Sequence, residues 1–385
     1  MAGGLVRLFL CGDVMLGRGV DQILPHPGDP ELHEPYMDDA RAYVGLAERV
    51  NGPIPRPVGF AWPWGEALDV LDAAGVGVRI VNLETSVTTS DDFAPGKGIH
   101  YRMHPANLPC LAAARPDVCV LANNHVLDFG RSGLAETLDA LRGAGLVTAG
   151  AGRDVGAARQ PASVPYGSGE RTGRVLVFSF AMPTSGVPDG WAAGQDRSGV
   201  DWVAGPTQDA AAEISGRVRR ARRPGDVAVA SVHWGPNWGY RVAREEVRFA
   251  HALLDGGVDI VHGHSSHHPR PVEAYGRGLV LYGCGDLVDD YEGISGHDAY
   301  RDDLRLLYLV SVDAAAPGGA AVREVRMAVL QARRMRLEHA AQEDRAWLRT
   351  VLDRVSRPFG SRVGLTPDGM LTLAGERLGG PDAYA

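Results

Sequence analysis

Short apolar runs recur along the chain, and most of them stop abruptly at a polar or glycine-rich turn that leads into an amphipathic segment. Val6–Cys11, Val78–Asn82, Val118–Ala122, Val175–Phe180, Val227–Val232, Ile260–His262 and Leu279–Tyr282 read as strands. Trp64–Ala74, Ala106–Ala114, Gly133–Ala144, Thr207–Arg222 and Glu245–Leu254 carry helical spacing of apolar positions between them. This alternation predicts an α/β fold. Glycine, with 50 copies, marks nearly every strand–helix junction and fits tight turns there. The polar motifs sit where strands end, the place where open α/β sheets bind ligands.

Three stretches break the rhythm. Residues 24–60 are rich in Pro, His and acidic side chains and read as a long ordered insertion, a lid or pocket wall. Residues 90–107 contain GKGIHYRMHPAN, which groups Lys97, His100, Arg102 and His104. After about residue 315 the pattern becomes a strand (Val322–Leu330), an amphipathic helix (Leu337–Val355) and a hairpin turning at Pro-Asp-Gly between Val363–Leu365 and Met370–Leu373. The expected organisation is one catalytic domain over residues 1–315, with the insertion at 24–60, and a C-terminal appendage over 316–385.

Composition narrows the class. At 385 residues the chain can bury a large core, and 45% hydrophobic with 22% charged residues is ordinary for a globular protein. A formal charge of −8 argues against nucleic acid as a partner, because phosphate backbones call for a basic face. The one basic run, Arg217–Arg223, reads as the solvated end of a helix. Lys97 is the only lysine, and the arginine excess reads as a composition bias. The four cysteines lack paired spacing and read as buried thiols. No stretch approaches the ~20 apolar residues of a membrane span, and the N-terminal run leads straight into a motif, so the expected location is cytoplasmic.

The candidate chemistry lies in five motifs: CGDVMLGR (Cys11–Arg18), NLET (Asn82–Thr85), ANNHVLDFG (Ala122–Gly130), HWG (His233–Gly235) and HGHSSHHP (His262–Pro269). Carboxylate, amide oxygen and imidazole together suit borderline divalent metals such as Mn, Zn or Fe. Asp13 and Glu84 follow strands and offer hard oxygens. Asn124 can coordinate through its carbonyl oxygen, while His125 can hydrogen-bond a reacting oxygen and Asp128 can orient that ring or cap the helix. His233 ends a strand. In the histidine-rich motif His264 and His267 are the ligand choices, with His262 and His268 as supporting or structural groups. One or two divalent ions held this way would acidify a water and polarise a phosphoryl or acyl oxygen. Neither a nucleophile elbow, a P-loop nor a dinucleotide fingerprint competes with this reading.

GDVMLGR, NLET, ANNHVLDFG, HWG and the GH-x-x-H element also resemble, in order and spacing, the CapA (poly-γ-glutamate capsule biosynthesis) family, which is related to calcineurin-like metallophosphoesterases. The resemblance covers roughly residues 5–310. It implies a four-layer α/β/β/α sandwich with metals at the sheet edge, Asp13 as the first metallophosphoesterase Asp, Glu84 at the bridging carboxylate and Asn124–His125 as the Asn-His pair. It likewise matches His233, His264 and His267 to the remaining histidines. The chain departs from the metallophosphoesterase pattern at Met15, where a ligand His is usual, at Glu84, where Asp is usual, and in the lengthened final His motif. Gly285-Asp286 stands where relatives carry Gly-Asn, and Asp286 either orients a ligand His or forms a turn. Arg18, Lys97, Arg102 and His104 are the candidate anion-recognition group, since Arg matches phosphate or carboxylate in a bidentate way. The expected activity is metal-dependent hydrolysis of a phosphoester, or of an amide or ester of a small anionic, glutamyl-type substrate. The rival is a non-hydrolytic role in assembling a γ-glutamyl polymer.

Overall fold

The computed structural model describes residues 5–168 and 171–375. Strands β1 (Leu5–Val14), β2 (Val78–Leu83), β3 (Val118–Val120) and β4 (Val147–Ala149) belong to a first sheet. The chain then builds a second sheet from β5 (Ala162–Ser168), β6 (Arg171–Ala181), β7 (Val227–His233), β8 (Ile260–His264), β9 (Val272–Tyr275) and β10 (Gly278–Leu281). It returns to the first sheet with β11 (Asp286–Val288), β12 (Leu304–Asp313), β13 (Ala321–Ala332), β14 (Leu337–His339), β15 (Ser361–Leu365) and β16 (Leu371–Gly375). The first sheet runs β15-β16-β13-β12-β1-β2-β3-β4, with β11 also on β1 and β14 on β13; the second runs β9-β10-β8-β7-β6-β5.

Period-two alternation explains the layering. Val6, Leu8, Leu10, Val78, Ile80, Val118 and Val120 of the first sheet share one buried cluster with Val175, Val177, Val227, Val229, Ile260 and Leu279 of the second. The intervening residues face outward, onto helices. Phe9, Cys11, Val81 and Cys119 pack against helices Arg41–Asn51, Ala67–Ala73, Leu108–Ala113 and Gly130–Gly143. Phe178, Ala228, Ala230 and Val261 pack against Gln208–Ala221 and Arg244–Asp255. The result is the four-layer α/β/β/α sandwich. Each fully buried Val, Leu or Ile contributes about 1.5–3 kcal/mol, so both faces of both sheets are covered with side chains that favour this stacking.

All seven expected strands and the five expected helices form, with ends shifted by a few residues. One segment differs. Leu337–Val355 is not one helix: Leu337–His339 pairs with Ala332–Leu330 of β13, and the helix begins at Gln342. Pairing with an available strand edge overrides the helical spacing there. Strand β12 lies outside the expected runs, although it sits at the sheet centre and pairs antiparallel with β1, Leu5 opposite Asp313. The boundary expected at residue 315 falls in the connection between β12 and β13, which pair along their length. The insertion at 24–60 carries helix Arg41–Asn51, whose Tyr43, Val44 and Ala47 are buried. Among the described residues no helix is long and apolar enough to cross a membrane.

Candidate metal centre

The inward-facing row of each strand changes from apolar to polar at its C-terminal end. Along β7 it reads Val227, Val229, Ser231, His233; along β8, Ile260, His262, His264; along β2, Val78, Ile80, Asn82, and then Glu84. Parallel register sets Ser231 opposite His262 and His233 opposite His264. On β1 the register slips between Leu10 and Asp13, a bulge that brings Asp13 opposite Asn82. Asp13 also pairs with Asp286 of β11. Gly12 permits this approach: a Cβ there would lie 1.6 Å from the Gly285 carbonyl oxygen. Folding thus caps one edge of the inter-sheet core with donors drawn from five motifs.

Two groups of possible ligands share Asp13. The donor atoms of Asp13, His233 and His264 lie within 4.8 Å of one another, and so do those of Asp13, His267 and Asp286. All are buried. Asn82 donates to Asp13 Oδ1 at 2.8 Å and to Glu84 Oε2 at 3.0 Å. The other Glu84 oxygen is 3.9 Å from both His125 Nε2 and His233 Nε2. Asn124 Oδ1 lies 3.0 Å from His233 Nε2. Ser265, with φ 104°, turns the chain between His264 and His267, and its N–H reaches Asp13 Oδ2 at 3.3 Å. A non-glycine residue in that region is strained, and the strain sits between two expected ligands.

Hydrogen bonds fix one ring in detail. His262 Nε2 donates to the Cys11 carbonyl at 2.7 Å, so its Nδ1 accepts from the Ser231 hydroxyl at 3.0 Å. The hydroxyl oxygen then accepts from His264 Nε2–H at 2.9 Å. His264 is left with its Nδ1 lone pair directed at His233 Nδ1, 2.8 Å away. His262 therefore supports a neighbour. His267 Nδ1 lies 3.0 Å from Asp286 Oδ1, the carboxylate–histidine pairing that orients ligand rings. Asp286 thus orients a candidate ligand ring and also stands within ligand distance of Asp13.

Charge favours a cation. Burial, and then Asp286, push the Asp13 carboxyl up to about 7. Burial and Asp13 raise Glu84 well above the usual range. Burial pulls His233 and His264 well below the ordinary imidazole value, leaving neutral rings with lone pairs to offer. His267 is the exception, since Asp286 outweighs burial and raises it. Crowded carboxylates and neutral imidazoles form a donor set that a divalent ion fits.

Beside this cluster, Asp128 Oδ2 lies 2.6 Å from His125 Nδ1, which directs Nε2 toward Glu84. Burial brings His125 down to about 4. Asp128 stays below the ordinary carboxylate value because His125 and Lys97 outweigh its burial.

The four residues expected to bind an anion are not gathered into one group. Arg18 is buried and bonded to Asp290 at 2.8 and 2.5 Å and to Glu34 at 2.9 Å, stacked over Tyr43. Arg102 donates to Ser90 and Asp29 carbonyls and to Asp91. His104 Nδ1 accepts from the Ala106 N–H and caps a short turn. Lys97 alone reaches the site, bonded to Asn124 O and Asp128. His268 accepts from the Gly239 N–H at 3.0 Å and clusters with the rings of Trp238 and Tyr300. Met15 turns its sulfur to Tyr291, and its backbone N–H binds Val288 O.

Three contributors escape the sequence reading. Asn82 links Asp13 to Glu84; Asn123 donates to Asn82 and to Leu83 O and accepts from the His125 N–H; Ser231 links two rings. For Asn82 and Ser231 the available signal is a polar residue on the inward row of an otherwise apolar strand; Asn123 follows its strand, in the Asn-Asn-His run.

Several known proteins are similar to this chain. A probable polyglutamine synthesis accessory protein of Mycobacterium tuberculosis is 54% identical over 376 residues, 97% of each chain. The capsule biosynthesis protein CapA of Bacillus anthracis is 25% identical over 74% of this chain and 60% of its own. The PGA biosynthesis protein CapA of Bacillus subtilis is 27% identical over 54% of this chain and 52% of its own. A 5'-nucleotidase precursor structure from Thermus thermophilus superposes with a TM-score of 0.47 at 15% identity, over 92% of this chain and 59% of that one. Residues 7–291, the span that holds all five strand-end motifs, match the family described as bacterial capsule synthesis protein PGA_cap, and the chain belongs to this CapA-type capsule synthesis family.

Proposed function

We propose that the protein is a metal-dependent hydrolase that directs activated water at a phosphoester, or at an amide or ester of an acidic, glutamyl-like metabolite. The observation that carries this reading is the pair of buried donor groups meeting at Asp13, with the His125–Asp128 dyad beside them. Asp13, Asn124, His233 and His264 would hold one divalent ion, with Glu84 next to it; Asp13, His267 and Asp286 would hold a second. Such ions supply acidified water and positive charge for a developing oxyanion. His125, held through Nδ1 by Asp128, presents Nε2 to the same space, where it can move a proton to or from the reacting group. His262 and Ser231 would leave the His264 Nδ1 lone pair, which faces His233, available to such an ion.

The test begins with elemental analysis of the purified protein, followed by screening of metal-loaded enzyme against phosphoester, ester and γ-glutamyl amide panels. His125→Ala should retain the metal and lose roughly 10²–10⁴-fold in turnover. Equal turnover by that variant refutes the role given to His125.

A second reading is that the protein assists polymer synthesis without hydrolysing anything. The name of the 54% identical mycobacterial relative, a probable polyglutamine synthesis accessory protein, favours it. A metal-loaded protein inert toward every panel, yet required for polymer accumulation in cells, would select this reading.

A further inference from the structure

Lys97 is the only lysine among 39 basic residues. Everywhere else the chain uses Arg for positive charge, and only one position departs from that usage. That position touches the site. Its ammonium bonds the Asn124 carbonyl oxygen and Asp128 Oδ1, and lies 3.0 Å from His125 Nδ1. The side chain is 20% exposed, its charge facing the ring of Trp191 at 5.4 Å. Three atoms of the Asn124–Asp128 turn thus converge on one nitrogen.

That convergence explains the residue type. An ammonium is a compact point charge with three rotatable N–H donors, whereas a guanidinium spreads five donors over a rigid plane on three nitrogens. An arginine could reach the carboxylate or the carbonyl, but its plane would not fit one nitrogen against both beside the imidazole edge. The other Asp128 oxygen is already committed, accepting from the Tyr101 N–H at 2.7 Å and from His125. Asp128 therefore cannot shift toward a displaced cation without releasing one of these.

We propose that Lys97 is a positioning residue that pins the Asn124–Asp128 turn at one point, so that Asn124 faces His233 while His125 Nε2 faces the metal cluster. It does not bind substrate. This rests on the reading of His125 as the proton-transfer group, and it adds the element that holds that group in place.

The test compares the full chain with Lys97→Arg and Lys97→Met by amide hydrogen exchange and metal content. The amides that report are His125, bonded to Asn123, and Tyr101, bonded to Asp128. Both should exchange roughly tenfold to a hundredfold faster in Lys97→Met and in Lys97→Arg, while amides of β7 are unchanged and metal content is retained. Added ethylammonium should restore protection to Lys97→Met, and guanidinium should not. On any substrate found, Lys97→Met should lower kcat and leave KM close to that of the wild type. Wild-type protection in Lys97→Arg overturns the argument from donor geometry. Wild-type protection in Lys97→Met overturns the positioning role. Should Lys97→Met fail to fold, Lys97→Arg, which keeps charge and bulk, decides the question. Exchange is read without turnover, so a wild-type protein that hydrolyses nothing would refute the proposed function and leave this result standing.

Discussion

Replacing Ser231 by Ala removes a single oxygen, yet that oxygen joins two rings. His262 Nδ1 loses its donor at 3.0 Å and His264 Nε2–H loses its acceptor at 2.9 Å. Both rings and the serine are fully buried, away from bulk solvent. An unpartnered buried polar group costs about 1–3 kcal/mol, so the metal-free protein should lose that much per ring less whatever relaxation recovers. The consequence for metal is separate. With its Nε2–H unheld, His264 is free to place the proton on Nδ1, the atom facing His233 and the cluster. Loss of an outer hydrogen-bond partner typically weakens metal binding 10–100-fold. Denaturant unfolding of metal-free protein reads the first quantity, and titration of Mn or Zn against a competing chelator reads the second. A Ser231→Ala protein that is destabilised but binds the ion with wild-type affinity would refute the assignment of His264 Nδ1 as a ligating atom.

Three further outcomes are expected. Asp13 belongs to both donor groups, so Asp13→Asn should remove at least most of the bound metal by elemental analysis; full retention would place the ions elsewhere. The raised Asp13 carboxyl keeps its proton in the folded chain where the unfolded chain has lost it, so its contribution to stability is present at low pH and disappears as pH rises through about 7. Binding of a cation requires the ionised form and competes with that proton, so affinity should fall about tenfold per pH unit below 7, measured by chelator titration; a flat profile refutes the competition. Arg18→Met leaves Asp290 and Glu34 buried without their cation, keeping only the Gly19 N–H and the Tyr43 hydroxyl as donors, and should cost about 3–5 kcal/mol in denaturant unfolding while leaving metal content intact. A variant of wild-type stability with weakened substrate binding would return Arg18 to anion recognition.

The seven expected strands, their alternation with the helices, and the five motifs at strand ends were legible because each depends on local pattern, whereas β12 at the sheet centre was not read. His262 and His264 share a face by simple alternation, and β8 continues far enough to keep them there. What local pattern does not carry is pairing at a distance. Asp286 meets Asp13 only because the short strand β11 lies parallel to β1, which nothing near residue 286 announces. Arg18 and Lys97 look alike as isolated cations beside motifs, and they part company in the fold. Arg18 finds two carboxylates, one of them at position 290, while Lys97 finds the turn that holds His125. The strand at Leu337–His339 was hidden for the same reason, since its partner edge is supplied by β13.

Strand β1 ends up between β2 and β12, partners that lie more than two hundred residues apart in the sequence. β2 can join β1 early, but on the other edge only Asp13 and Val14 meet β11, and the Leu5–Leu10 stretch stays open until β12 is made, when Leu5 finds Asp313. Throughout translation of the whole second sheet, a row of unpaired backbone groups borders an apolar face, the arrangement most prone to pair with another chain. A nascent chain stalled before residue 304 would therefore expose a sticky border, and chaperone demand should peak there and fall once β12 docks.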